Sequence, residues 1–96
     1  MINTIGLAYR ARKVVVGTDL TITGLRKHAL SLVVLATDCS HTTKKKIYDK
    51  SKTYGVDVIE VLNSDEISRA LGKVDIKVIG ITDKGFSQLL MQQIRK

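Results

Sequence analysis

The chain has 96 residues, no proline and one cysteine, with 16 Lys and Arg against nine Asp and Glu for a formal net charge of +7. That length suits one small domain, 1–96, built around one core, and a single cysteine excludes an intramolecular disulfide. Ten of the Lys and Arg but only three of the acids lie in residues 1–54, so that half carries the whole excess and points to a polyanionic partner, nucleic acid first.

Ile2, Ile5, Ala8 and Tyr9 recur at helical spacing, and Arg10, Arg12 and Lys13 close the segment with charge suited to a helix C-terminus. Val14–Val16 is a short β-branched strand ended by Gly17; Thr18 is expected to cap the next helix, with Asp19 in its first turn. Ile22, Leu25 and Ala29 form the apolar face of that helix. Gly24 inside it costs about 1 kcal/mol against alanine, so close packing or the approach of a nucleic acid is the expected reason for it. Leu32–Ala36 is a continuous apolar run, the pattern of a strand buried on both faces.

After the loop Thr37-Asp38-Cys39-Ser40, either Ser40 or Thr42 caps a third helix that reaches about Tyr54 and ends at Gly55. Val56, Val58, Ile59, Val61 and Leu62 read as a third strand. Asn63-Ser64-Asp65-Glu66 starts a fourth helix with Ile67, Ala70 and Leu71 inward and Gly72 as its stop. Ile76, Val78, Ile79 and Ile81 form the fourth strand, and Thr82 or Asp83 opens a last helix with Phe86, Leu89, Leu90 and Ile94 on the core side. The alternation α-β-α-β-α-β-α-β-α predicts an α/β fold, a layered sandwich with helices on both faces of the sheet.

Several chemistries are disfavoured. Cys39 and His41 sit two apart with no orienting carboxylate, a poor nucleophile–base pair. His28 is explained by the end of the second helix, and two histidines with one cysteine lack metal-ligand spacing. Neither a Gly-x-x-x-x-Gly-Lys-Ser/Thr loop nor Gly-x-Gly-x-x-Gly is present. No catalytic residue, cofactor or metal is therefore expected, and the protein is not read as an enzyme. One Phe and three Tyr make no broad platform for stacking single strands, which favours folded RNA. No apolar run approaches the ~20 residues that cross a bilayer, and the N-terminal residues lack the pattern of a secretory leader. A cytoplasmic protein without a membrane partner is expected.

Four segments resemble a known family: Leu7-Ala8-Tyr9-Arg10-Ala11-Arg12-Lys13, Gly17-Thr18, Leu32-Val33-Val34-Leu35-Ala36-Thr37-Asp38 and Asp65-Glu66-Ile67-Ser68-Arg69-Ala70-Leu71-Gly72. In order and spacing they resemble the L7Ae/L30e/S12e superfamily of kink-turn RNA-binding ribosomal proteins. Thr82-Asp83-Lys84-Gly85-Phe86 is similar to its small bacterial YlxQ-like members. The resemblance implies a three-layer α-β-α sandwich with a mixed four-stranded sheet, and a non-enzymatic protein that binds structured RNA, a kink-turn or ribosomal RNA, through three loops at one edge. It also implies association with ribosomes, with ribosomal proteins as further partners; a monomer is expected. Docking on a ribosomal protein or translation factor, with only non-specific RNA affinity, is the alternative.

Carried over, the first contact region is Gly17, Thr18, Asp19, Leu20, Thr21 and Thr23, the second is Thr37 and Asp38, and the third is the loop holding Lys73, Val74 and Ile76. Strong kink-turn binders of this superfamily place Asn or Lys where Asp19 stands, Glu or Gln in place of Leu20, and Lys in place of Thr23; only Gly17 and Thr18 match. Arg26, Lys27, Lys44 and Lys45 are the basic residues expected to hold flanking phosphates, the latter two from a lysine-rich helix that is otherwise a solvated face.

Overall fold

The computed structural model describes residues 1–95; Lys96, the last residue of the expected domain, lies outside them. Nine elements follow in order: α1 (Ile2–Arg10), β1 (Val14–Val16), α2 (Thr18–Arg26), β2 (Leu32–Leu35), α3 (His41–Tyr54), β3 (Val58–Ile59), α4 (Ser64–Leu71), β4 (Val78–Ile81) and α5 (Lys84–Ile94). The sheet runs β1-β4-β2-β3. β4 is antiparallel to both neighbours, pairing Val16 with Ile79 and Leu35 with Val78, while β2 and β3 are parallel. Helix α1 packs against α4 and α5, and α2 against α3, which gives the three-layer α/β sandwich with a mixed sheet. Among the described residues, no helix is long and apolar enough to cross a membrane.

The central strands are buried along their whole length, as the unbroken apolar runs require. Val33, Val34, Leu35, Ile79 and Ile81 are fully enclosed with Ile5, Leu25, Ile47, Ile67 and Leu90 from the helices. Caps set the helix starts. Ser40 rather than Thr42 accepts from Thr43 N to start α3, Asn63 forms a capping box with Glu66 to start α4, and Asp83 accepts from Phe86 N to start α5.

Four local readings change. Gly17, not Thr18, is the N-cap of α2, and Thr18 is its first helical residue. β3 is two residues long instead of spanning 56–62, because it pairs only with β2 and beyond Ile59 the contact narrows to one backbone hydrogen bond, which Leu62 O accepts from Thr37 N. Ala29 is exposed beyond the end of α2, and the apolar place expected for it is filled by Leu30. Leu89 faces outward at 48% exposure while Leu90 is fully buried.

Leu30 also explains two glycines. A β-carbon at Gly24 would lie 2.9 Å from Leu30 Cδ2, and one at Gly80 would lie 2.6 Å from Leu30 Cδ1 and 3.0 Å from Val15 Cγ2. The leucine is wedged between α2 and β4, where close packing alone accounts for Gly24. A Gly80→Ala substitution is expected to destabilise by about 1–3 kcal/mol through overpacking, and Leu30→Ala by about 2–3 kcal/mol through the cavity left behind. In urea unfolding the double variant should lose less than the two single losses added together, because the shortened side chain admits the new methyl group.

Candidate nucleic-acid interface

Because β1 and β2 both run antiparallel to β4, their C-terminal ends meet the start of β4 at one edge of the sheet. Backbone hydrogen bonds fasten the loops there. Gly17 N donates to Val78 O at 2.8 Å, Ala36 N to Lys77 O at 2.8 Å, and Thr37 N to Leu62 O at 2.9 Å. The structure thus brings together the three segments expected from the sequence: the β1–α2 junction, the β2–α3 loop and the α4–β4 loop.

The first segment turns on Gly17, whose φ of 95° and ψ of 163° belong to a region that only glycine enters without strain. No side chain caps α2, in contrast to α3, α4 and α5. The first N–H groups of an α-helix have no intrahelical acceptor, so Thr18, Asp19 and Leu20 present theirs at the edge, backed by the helix dipole. Asp19, Leu20 and Thr23 are exposed, Leu20 at 57%. Thr21 is a correction to the expected contacts. It is fully buried beside Ile22 on the inner face of α2, so its hydroxyl does not reach the surface.

In the second segment Asp38 closes onto the next helix. Its Oδ1 accepts from Ser64 N at 2.8 Å and its Oδ2 from Ser64 Oγ at 2.6 Å. These bonds, the hydroxyl's first, hold the Asp38 carboxyl below its ordinary range. Lys44 is likewise occupied: its Nζ donates to Thr37 O at 2.7 Å and pairs with Glu60 Oε2 at 2.8 Å. Glu60 Oε1 accepts from Tyr48 O–H at 2.9 Å. The Lys44 contact, then that of Tyr48, lowers the Glu60 carboxyl; burial, then Glu60, raises the Tyr48 phenol. Glu60 and Tyr48 carry no recognisable sequence signal, since they meet only once α3 lies beside the exit of β3. Lys45 is exposed, and no carboxylate lies within 4.0 Å of it among the described residues.

The third loop has a fixed end and a free tip. Ile76 N donates to Ser68 Oγ at 2.8 Å, and the Ile76 side chain packs against the core. Val74 stands 80% exposed, and Lys73 Nζ sits 5.9 Å from the centre of the Tyr9 ring. A hollow of about 260 Å³ lies beside this loop, lined by Ser64, Ser68, Arg69, Lys73 and Val74 among others. Arg26 and Lys27 lie away from these loops, at the far end of α2. Cys39 is buried in the core while His41 is exposed, so no nucleophile–base pair forms. Among the described residues, no group of three or more His, Cys, Asp or Glu could hold a metal ion.

A carboxyl lowered in the fold adds stability that is present above its unfolded pKa and lost as pH falls through its lowered folded value. For Asp38 and Glu60 that loss begins as pH drops below their ordinary values of 3.8 and 4.5. Asp38→Asn should therefore lower the urea midpoint at neutral pH and flatten its fall in acid. An acid limb as steep as the parent's would contradict the Ser64 contact.

Residues 1–91 match the ribosomal protein L7Ae/L30e/S12e/Gadd45 family. RNA-binding protein YlxQ of Enterococcus faecium is 44% identical over 86 residues, covering 90% of this chain and 82% of its own length. The protein of that name from Bacillus subtilis (strain 168) is 41% identical over 87 residues, covering 91% of this chain and 87% of its own. A solved structure from Bacillus halodurans C, described as a protein with unknown function, superposes with a TM-score of 0.95 at 36% identity over 99% of this chain and 96% of that one. The Giardia lamblia 15.5kD RNA binding protein shares the fold, with a TM-score of 0.80 at 14% identity over 95% of this chain and 78% of its own. The family is one of non-enzymatic binding proteins, and this chain belongs to it.

Proposed function

We propose that this protein binds structured RNA, a kink-turn or a related internal loop, on the three-loop edge, as a cytoplasmic, ribosome-associated monomer. The observation that carries the reading is the uncapped start of α2 at Gly17, set among the two other loops at one end of the sheet. The N–H groups of Thr18, Asp19 and Leu20 meet a phosphate or a base edge. Asp19 can accept from a guanine amino group. Leu20 and the tip of the third loop at Val74 offer apolar surface to an unstacked base. Thr37, Lys73, Lys45 and, beyond the edge, Arg26 and Lys27 add polar contact or positive potential. Asp38 and Lys44, held by their own partners, keep the second loop in shape. The names of the two YlxQ relatives support RNA as the partner class.

A protein partner at the same edge is the second reading, favoured by the exposure of Leu20, Val61 and Val74. Titration of a kink-turn RNA and an equally long straight duplex at two salt concentrations separates the two. A kink-turn preference that survives the higher salt is expected; equal binding to both RNAs that salt abolishes would favour the protein partner. Thr23→Lys, an exposed position one turn into α2, is expected to tighten kink-turn binding and to steepen the log–log salt dependence by about one unit. An unchanged slope would remove Thr23 from the phosphate path.

A further inference from the structure

The lysine-rich helix carries a feature that extends beyond the part of it, Lys45, that the loop edge uses. Helix α3 starts at that edge, directly after Asp38, and runs for 14 residues, about 20 Å at 1.5 Å per residue. His41, Lys45, Tyr48 and Lys52 fall at i, i+4, i+7 and i+11, one stripe of the helix, and all four are exposed. Helix α2 starts at the same edge and packs against α3. The two C-terminal ends adjoin, since the His28 ring, just past α2, meets the Tyr54 ring edge-on at 5.5 Å between centres. Arg26 and Lys27 therefore lie at the end of the layer that also holds Lys52.

Two observations separate this stripe from an ordinary solvated helix face. The first is unpaired charge. Lys45, Lys46, Lys50 and Lys52 have no carboxylate within 4.0 Å among the described residues, where the only ion pairs are Lys44–Glu60 and Arg69–Asp65. Asp49, on the adjacent row, is the only acid of the helix. The second is a fixed aromatic. Tyr48 is 43% exposed, yet its hydroxyl is bonded to Glu60, which Lys44 holds in turn. Neutralised by Lys44, Glu60 anchors the ring without opposing a polyanion. The result is a ring held at one end between Lys45 and Lys52, which lie about 10 Å apart along the axis.

The geometry points to this stripe as a track for the RNA stem that flanks the docked internal loop: Lys45 and Lys52 hold successive backbone phosphates, the Tyr48 ring packs on the sugar edge between them, and Arg26 and Lys27 extend the track at its far end. The inference rests on the edge-docking reading above. It makes Lys44 and Glu60 positioning residues for Tyr48. Phosphate contacts of this kind hold and orient RNA without reading its sequence, and a duplex stem offers phosphates at the regular spacing that a straight helix can follow.

The test measures affinity of the full chain for an internal-loop RNA whose flanking stem is lengthened stepwise, at several salt concentrations. Affinity is expected to rise with stem length and then level off. Lys45→Glu/Lys52→Glu should abolish that rise and lower the log–log salt slope on the long RNA by about two units, with a smaller loss on the shortest RNA. Lys45→Gln/Lys52→Gln, which introduces no new charge, should act in the same direction. Tyr48→Phe should retain the ring but free it, and lose part of the stem-dependent gain. Preference for the shortest internal-loop RNA with no gain on lengthening would overturn the track alone. So would an equal loss for short and long RNA in the lysine variants. Absence of any preference for the internal loop would overturn the edge reading and the track together.

Discussion

Insertion of β4 between β1 and β2, antiparallel to both, is the constraint on which the arrangement depends. Two consecutive strands that run parallel to each other both end at the edge where a third strand, distant in the sequence, starts. The loops after β1 and β2 and the loop before β4 then have no choice but to be neighbours. Their backbone groups, which would otherwise be left without partners at the end of the sheet, bond across the gap from Gly17 to Val78 and from Ala36 to Lys77. The edge is thus a by-product of satisfying the sheet, and its residues are those that the sheet does not need.

Electrostatics divides the molecule along the same lines. The acids near the edge are mostly spoken for: Asp38 by Ser64, Glu60 by Lys44 and Tyr48, Glu66 by the backbone of Asn63, with Asp19 left exposed. Glu60 is neutralised by Lys44, while Asp38 and Glu66 keep their charge with their carboxylates held in hydrogen bonds to neutral groups, so Lys45, Lys46, Lys50 and Lys52 are the cations of α3 without an acidic partner among the described residues. A mean net charge would conceal this, because what a polyanion meets is the unpaired remainder.

The succession of elements was legible in the sequence because each has a local cause. Helix starts are written in Ser40, Asn63 and Asp83, helix stops in Gly55 and Gly72, and buried strands in unbroken apolar runs. Errors fell where tertiary contacts decide. Val56–Leu62 reads as a full strand, but an edge position with one partner pairs only two of its residues. Thr21 is expected at the surface only because the resemblance carries it over with its neighbours, yet helical geometry turns it inward. Leu89 and Leu90 both read as core, at three and four residues from Phe86, and only packing separates them. That the three loops share one edge was legible by resemblance. The Asp38–Ser64 and Lys44–Glu60 contacts were not, being 26 and 16 residues apart with no periodicity linking them.

The cross-loop hydrogen bonds have a thermodynamic consequence. A loop whose backbone is already fixed has its conformational entropy lost during folding and not again on docking. The three segments of the edge are in that state: Gly17 is bonded to Val78, Asp38 to Ser64 and Ile76 to Ser68. The tip at Val74 and the long exposed side chains are the parts that no such bond holds. An RNA that bends or unstacks to fit would then bear nearly all of the reorganisation, so the rate of complex formation would follow how often the RNA visits the bent shape, with the protein acting as a rigid gauge of that shape.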